Sequence, residues 1–248
     1  MLFNPNPPKI GVDFTALGSG DPITDLTGWS GSATIVGAAP RDSAHNPHAT
    51  VLTTEQTSNV TATSPGQTLS PALTTSDTVY FSAWINWSGS TSSNVRITLK
   101  DADNYSLGAF GLASKQFGMA DANGNWLYST ETLSANKWYE LAMVVDLDEA
   151  NLALSRGYLF VRDVAAGSDF HLLSGFEDGV VMGYGSSLNA TAFSKWDLQL
   201  RNLVQIDNLS VGTAVPEPGS LSLVMGVGLV FAGLKYARPL LRTKNTPL

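Results

Sequence analysis

Apolar and polar residues alternate along much of residues 10–213. Every second position is apolar in four segments, at residues 79–87, 95–99, 139–145 and 196–200. Successive side chains of a strand point to opposite faces, so a period of two predicts strands that bury one face. Residues 158–161 predict a further strand, and residues 204–211 predict the last one.

Turn-forming residues separate these segments. Clusters of Asp, Asn and Gly occur at residues 101–104, 121–125 and 148–151, where strands are expected to end. Helical signal is limited to residues 146–154, enough for a turn or two. About 200 residues of such strands predict an all-β fold, a two-sheet antiparallel jelly-roll-like sandwich over residues 10–213.

Composition removes several classes of function. The chain has 248 residues and no cysteine, which excludes disulfides and thiolate chemistry. Before Val215 it has 10 basic and 20 acidic residues, a net charge of −10; the remainder has four basic residues and one acid, +3, which gives −7 in total. A body this acidic lacks the basic footprint that nucleic-acid binding needs.

The C-terminus contains an uncharged apolar segment. Residues 219–234 hold no charge, and extension to residue 237 gives 19 residues, close to the roughly 30 Å bilayer core at about 1.5 Å per residue. We predict a single transmembrane helix over residues 220–237 and a basic cytoplasmic tail over 238–248. The flanking basic residues Lys235, Arg238 and Arg242 place the tail inside and the acidic body outside. A buried core helix is the alternative.

A proline-rich motif stands immediately before that segment. Pro216, Glu217 and Pro218 lie within residues 214–219, followed by the apolar segment and the basic end. This three-part order resembles the PEP-CTERM sorting signal of bacterial exported proteins. The resemblance implies that Pro216, Glu217 and Pro218 are recognised by a membrane processing enzyme, exosortase, and that the body reaches the cell surface or extracellular matrix. A rigid juxtamembrane linker is the alternative for the same residues.

Residues 1–9 form an irregular N-terminal segment. They contain neither the basic region nor the apolar region of a signal peptide, which export would require. We therefore expect a misassigned start codon or a truncated sequence.

The body itself resembles concanavalin A-like and laminin-G-like jelly rolls. The resemblance is carried by residues 12–14, 79–87, 137–146 and 206–211. It implies that the first and last strands lie close together. Fold alone says little about activity.

Aromatic residues at polar positions of the pattern are candidates for sugar binding, because aromatic rings stack on the apolar faces of pyranoses. Tyr80 and Trp84 fall opposite the apolar face of their strand, and Trp126 and Tyr128 follow a turn. Burial in the core is the alternative for each of them.

Calcium is the ion that the sequence best supports, although no cofactor is required. Asp121, Asn123 and Asn125 supply oxygen atoms at alternate positions, as hard cations prefer. An ordinary Asp-Asn-Gly turn is the alternative. His45 and His48 flank a proline and are interpreted as exposed loop residues.

No catalytic motif is evident. Residues 146–149 come nearest to the alternating carboxylates of laminarinase-type glycosidases, but their spacing fails and a turn follows. The sequence favours a non-catalytic structural, adhesive or polysaccharide-binding body. The alternative is a polysaccharide-active enzyme, a glycosidase or lyase, with carboxylates supplied by separate strands.

Overall fold

Strands dominate the structure, as the period of two predicts. The computed structural model describes residues 3–6, 8, 10–18, 20–31, 36–38, 40–48, 50–54, 57–66, 78–148, 150–187 and 193–215. Its strands are β1 (Asn4–Pro5), β2 (Ile10–Val12), β3 (Val36–Ala38), β4 (Val51–Thr54), β5 (Val60–Thr63), β6 (Thr78–Trp87), β7 (Asn94–Asp101), β8 (Ser106–Ala113), β9 (Gln116–Ala120), β10 (Trp126–Tyr128), β11 (Tyr139–Asp146), β12 (Arg156–Asp163), β13 (His171–Leu172), β14 (Val180–Val181), β15 (Phe193–Arg201) and β16 (Val204–Val215). Single 3-10 turns occur at Ile23–Asp25 and Leu152–Leu154; the second lies in the segment with helical signal.

These strands form two antiparallel sheets. One has ten strands, with the path β13-β12-β11-β6-β16-β4-β3; β1 and β2 also pair with β16, and β14 pairs with β12. The other has six strands in the order β10-β9-β8-β7-β15-β5. Pairing of β1 and β2 with β16 joins the two ends of the body, as the jelly-roll resemblance implies. The predicted two-sheet, sandwich-like architecture is confirmed.

The core lies between the two sheets. The apolar positions predicted from the alternation belong to one buried cluster, which includes Val79, Phe81, Ala83, Ile85, Trp87, Val95, Ile97, Leu99, Tyr139, Leu141, Met143, Val145, Trp196, Leu198 and Leu200. The alternation therefore assigned these side chains to the correct face. Burial of this much apolar surface is the main favourable contribution to folding.

A second apolar cluster covers part of the other face of the ten-stranded sheet. It contains Phe3, Tyr80, Ala142, Val144, Phe160, Phe170 and Ala214. The ring of Phe3 lies 5.5, 5.2 and 4.8 Å from those of Tyr80, Phe160 and Phe170. Strands β6 and β11 are therefore buried on both faces there, which alternation alone did not predict.

The C-terminal predictions lie outside the described residues. These are the sorting motif at Pro216, Glu217 and Pro218, the transmembrane helix over 220–237, and Lys235, Arg238 and Arg242. Among the residues that are described, no helix is long and apolar enough to cross a membrane. Strand β16 ends at Val215, two residues beyond the predicted end of the sandwich.

Candidate functional site

The outer face of the six-stranded sheet carries two rows of side chains that cross all six strands. Residues that pair across neighbouring strands point to the same face. The first row runs Thr61, Gln199, Arg96, Gly111, Gly118 and Tyr128. The second row runs Thr63, Asp197, Thr98, Ala109, Ala120 and Trp126. Polar residues thus occupy β5, β15 and β7, small residues occupy β8 and β9, and aromatic residues occupy β10.

The small residues form a floor on which the neighbouring side chains lie. A Cβ atom on Gly118 would stand 2.5 Å from the Leu127 carbonyl oxygen and 2.7 Å from the Tyr128 ring. At Gly111 it would stand 2.0 Å from the Val95 carbonyl oxygen. Only glycine therefore allows the backbone and the Tyr128 ring to approach so closely, which is a common reason for glycine inside a strand.

The aromatic side of this face is formed by Trp126 and Tyr128. Their rings are stacked, with centroids 5.9 Å apart and planes 20° apart. Tyr128 is 42% exposed, whereas Trp126 is half-buried. The guanidinium carbon of Arg96 lies 5.6 Å from the centre of the Trp126 ring, within cation–π range. Trp126 is thereby held by a neighbour on each side, and Tyr128 presents its ring to solvent.

Two depressions lie along these rows, and Arg96 and Gln199 line both. The smaller, about 120 Å³, also has Trp126 and Tyr128 in its wall. The larger, about 360 Å³, is lined by Thr61, Thr63, Arg96, Thr98, Asp197, Leu198 and Gln199. Its size falls at the low end of the range for small-molecule sites. An aromatic platform next to a polar depression can hold the apolar face and the hydroxyl groups of one sugar at the same time.

The carboxylate in the larger depression is already partnered. Asp197 pairs with Lys100 at 3.1 Å and accepts a hydrogen bond of 2.7 Å from the Thr63 hydroxyl. The Arg96 Nε–H donates to the Thr98 hydroxyl at 3.3 Å. These contacts fix the side chains of the polar rows before any ligand arrives, which lowers the entropy cost of binding.

The four aromatic residues proposed for sugar binding do not come together. Trp126 and Tyr128 share the six-stranded sheet, whereas Tyr80 and Trp84 belong to β6 in the ten-stranded sheet. Trp84 is half-buried, with its ring 6.4 Å from that of Trp138.

Tyr80 requires a correction. It is 4% exposed in the second apolar cluster, and its hydroxyl donates to the Asn6 carbonyl oxygen at 2.8 Å. Burial, with a smaller contribution from the charge of Glu140, raises the pKa of Tyr80 to about 12. The N-terminal segment covers the ring, so no face of it is free to stack on a sugar.

The residues proposed for calcium form a closed turn. One carboxylate oxygen of Asp121 accepts hydrogen bonds of 2.9 Å from the backbone N–H groups of Asn123 and Asn125, and the other accepts one of 2.8 Å from the Asn125 side chain. Asp101 binds the N–H groups of Asp103 and Tyr105 in the same way. Within the described part of the chain, no group of three His, Asp or Glu side chains is placed to hold a metal ion. The geometry favours the turn interpretation.

His48, interpreted from the sequence as an exposed loop residue, is bound to a buried carboxylate in the structure. Its Nδ1 atom lies 2.7 Å from a carboxylate oxygen of Asp207, which is fully buried. The Asn46 side chain donates to the same oxygen at 2.9 Å. This network binds residues 46–48 to β16, and no local pattern predicts it because Asp207 lies about 160 residues away.

The Asp148 carboxylate closes a turn after β11, whereas Asp146 is the last residue of β11 and Glu149 lies outside the described residues. Asp148 accepts hydrogen bonds of 3.0 and 2.9 Å from the N–H groups of Ala150 and Asn151. Glu140 is engaged by Arg162 and by the hydroxyl of Ser82. Among the described residues that line the two depressions, Asp197 alone carries a carboxylate.

Sequence reasoning missed the polar half of the site, namely Arg96, Gln199, Asp197 and the threonines. The register between strands, which places them beside Trp126 and Tyr128, is not encoded by alternation. One signal was present: Gly111 and Gly118 interrupt strands that are otherwise apolar, which indicates a close approach of another group.

No family model matches the chain, and no curated protein matches it. Solved structures of similar fold include the globular domain of T. cruzi calreticulin, with 9% identity and a TM-score of 0.48 over 92% of this chain and 95% of that one. Carbohydrate-binding module CBM66 from Bacillus subtilis has 12% identity and a TM-score of 0.41 over 76% and 97%. Domain 4 of AbnA, a GH43 extracellular arabinanase from Geobacillus stearothermophilus solved with arabinotriose, has 13% identity and a TM-score of 0.45 over 86% and 96%. Similarities at this level carry no argument about function.

Proposed function

We propose that the body is a non-catalytic carbohydrate-binding β-sandwich whose ligand lies on the outer face of the six-stranded sheet. The observation that carries this proposal is the stacked Trp126–Tyr128 pair beside a depression lined by hydroxyl, amide and guanidinium groups. Sugars have apolar ring faces and hydroxyl edges, and a site of this composition satisfies both.

Each side of the site has its own task. Tyr128, backed by Trp126, stacks on a sugar ring. Gln199, Thr61 and Thr98 offer both donors and acceptors to the hydroxyl groups. The aromatic platform and the larger depression lie on different strands. An oligosaccharide can contact both, so the site suits a chain of sugars better than a monosaccharide.

Enzymatic hydrolysis has no support from this face. Acid–base hydrolysis of a glycosidic bond needs two carboxyl groups that flank the bond. The larger depression offers Asp197, already paired with Lys100, and the smaller one has no carboxylate among the described residues. The face is therefore proposed to bind a glycan without cleaving it.

Aromatic truncation tests the proposal. We expect Trp126→Ala and Tyr128→Ala each to weaken binding to glycans, first identified on an array, by about 2 kcal/mol, or roughly 30-fold, as measured by isothermal titration calorimetry. Tyr105→Ala is the matched control, because Tyr105 is 48% exposed and lines neither depression. Equal affinity of the wild type and both platform variants for every glycan that binds would place the site elsewhere.

We also propose that the body is displayed outside the cell, through recognition of Pro216, Glu217 and Pro218 by an exosortase-type enzyme. The support is the order of the motif, the apolar segment and the basic end, together with the acidic body. The mature mass and location of the protein, expressed in its own host with the upstream reading frame restored, test this. A surface-attached species that ends near Pro218 is expected; an intact chain in the inner membrane would reduce the tail to an anchor.

A further inference from the structure

Basic residues are concentrated on the face that carries the proposed sugar site. Of the ten basic residues before Val215, four lie on β7 and β15: Arg96, Lys100, Lys195 and Arg201. Register pairs Lys195 with Lys100, Gln199 with Arg96, and Arg201 with Asn94, so the four share the outer face. Asp197 is the one acid among them there, which gives a local charge of 4 − 1 = +3 on a body whose net charge is −10.

Within the part of the chain that the structure describes, three of these cations lack a carboxylate partner. Lys100 pairs with Asp197, but among the described residues no carboxylate oxygen lies within 4.0 Å of Arg96, Lys195 or Arg201. By contrast, Arg162 on β12 of the ten-stranded sheet pairs with Glu140, and Lys137, in the turn before β11, pairs with Asp163. Among the described residues, Arg156 on β12 also lacks a carboxylate partner, but it donates to the backbone oxygens of Asp178 and Gly179. The outer face of the six-stranded sheet differs in that three such cations lie on two adjacent strands.

The arrangement of these cations has a cost in the free protein. Lys100 and Lys195 stand directly opposite each other on adjacent strands, and like charges in that position destabilise a sheet. Asp197 offsets part of this repulsion through Lys100. An anionic ligand would offset the rest, so charge complementarity indicates which glycans this face fits.

We infer that the site takes an acidic polysaccharide, one that carries uronate carboxyl groups, in preference to a neutral one. This inference rests on the proposed carbohydrate-binding function and specifies its ligand class. Arg96 is the residue that selects the carboxylate. Its guanidinium lines both depressions and is held beside Trp126, so a sugar stacked on the aromatic platform brings its carboxylate within reach. A planar guanidinium matches a carboxylate with two parallel hydrogen bonds.

Lys195 and Arg201 extend this preference along the sheet. They lie at opposite ends of β15, on either side of the Arg96–Gln199 pair. The Cα atoms of Lys195 and Arg201 are six residues apart on one strand, which is about 20 Å at roughly 3.3–3.4 Å per residue. Several carboxylates of one polymer can therefore meet separate cations, and the binding of a longer oligosaccharide is expected to weaken as salt rises.

The test compares one ligand with and without its charge. Wild-type protein is titrated with a uronate oligosaccharide and with the methyl ester of the same oligosaccharide, which removes the charges and keeps the sugar rings. We expect the ester to bind at least about tenfold more weakly, as loss of one charged hydrogen-bonding partner implies. Arg96→Gln should remove most of the difference between the acid and the ester, and the remainder is attributed to Lys195 and Arg201. Lys137→Gln, which removes an exposed charge from the turn before β11, should preserve the difference.

Other outcomes separate the two proposals. Equal binding of acid and ester, with loss of both in Trp126→Ala, would overturn the acidic preference and leave the sugar site intact. Tighter binding of a sulfated oligosaccharide of equal charge would overturn the assignment to carboxylates. If neither the acid, its ester nor any neutral glycan on an array binds wild-type protein, the carbohydrate-binding proposal itself fails. Circular dichroism of each variant checks that the sheets remain folded.

Discussion

Removal of the buried Asp207 carboxylate gives the sharpest test of how residues 40–48 are held on the sandwich. Asp207 is fully buried on β16. Its two oxygens accept hydrogen bonds from Asn46 Nδ2 at 2.9 Å, from the Asn208 N–H at 2.8 Å and from His48 Nδ1 at 2.7 Å. Asp207→Ala removes all of these acceptors at once.

The magnitude follows from the donors left behind. Asn46 is 2% exposed, so its amide cannot turn to water. The Asn208 N–H is only partly buried, so water can replace the acceptor that it loses. Each buried donor left unsatisfied costs about 1–3 kcal/mol. We therefore expect the free energy of unfolding to fall by about 1–3 kcal/mol, a substantial fraction of the roughly 5–15 kcal/mol typical of a domain. His48 is partly exposed, and water can replace the bond that it loses.

Urea unfolding followed by tryptophan fluorescence measures this change. Asp207→Asn keeps the side-chain volume and one acceptor oxygen, so it should destabilise the protein less than Asp207→Ala. Comparison of the two variants separates the cost of the lost hydrogen bonds from the cost of the cavity that alanine leaves. Asp197→Ala is the matched control, because its ion pair with Lys100 is about 30% exposed on both sides and should be worth at most about 1 kcal/mol. Faster hydrogen exchange across residues 41–48 should accompany the Asp207 variants.

The reasoning is refuted by a loss of less than about 1 kcal/mol in Asp207→Ala, or by equal losses in the Asp207 and Asp197 variants. Either result would mean that the network around Asp207 contributes no more than a surface ion pair.

Two further outcomes are expected. Gly118→Ala places a Cβ 2.5 Å from the Leu127 carbonyl oxygen, so it should weaken glycan binding and lower the free energy of unfolding in urea by about 1–3 kcal/mol. Gly11→Ala is the control, because its Cβ would meet no atom within 4 Å and should change neither quantity. Equal effects of the two substitutions would contradict the close packing around Gly118. Burial raises the pKa of Glu131, but hydrogen bonds from Ser174 and His171, together with the charge of His171, outweigh it and leave the pKa below its usual range. That stabilisation is present above about pH 4.3 and is lost as pH falls through the lower pKa of the folded state. Glu131→Gln should therefore flatten the loss of stability between about pH 5 and pH 3, and an unchanged slope would contradict this assignment.

Local alternation was sufficient to predict the strands and the side chains of the core. In β7 and β15, for example, Ile97 and Leu198 point inward because successive side chains of a strand alternate in direction, whatever the strand pairs with. The same local chemistry made the Asp121 cluster a turn, since the side chain of Asp binds N–H groups only a few residues away. Interactions of this short range are visible in any stretch of sequence.

Tertiary structure decided what covers each outward face and which strands are neighbours. Tyr80 and Tyr128 are both aromatic residues at positions opposite a core face. The N-terminal segment buries Tyr80, whereas Tyr128 remains exposed to solvent. Arg96 meets Trp126 only because β7 and β10 lie in one sheet, about three strand spacings apart. An alternating pattern fixes the direction of a side chain relative to its own backbone. Register and coverage depend on contacts between residues far apart in sequence, so the sequence determined the platform aromatics and only the fold assembled their site.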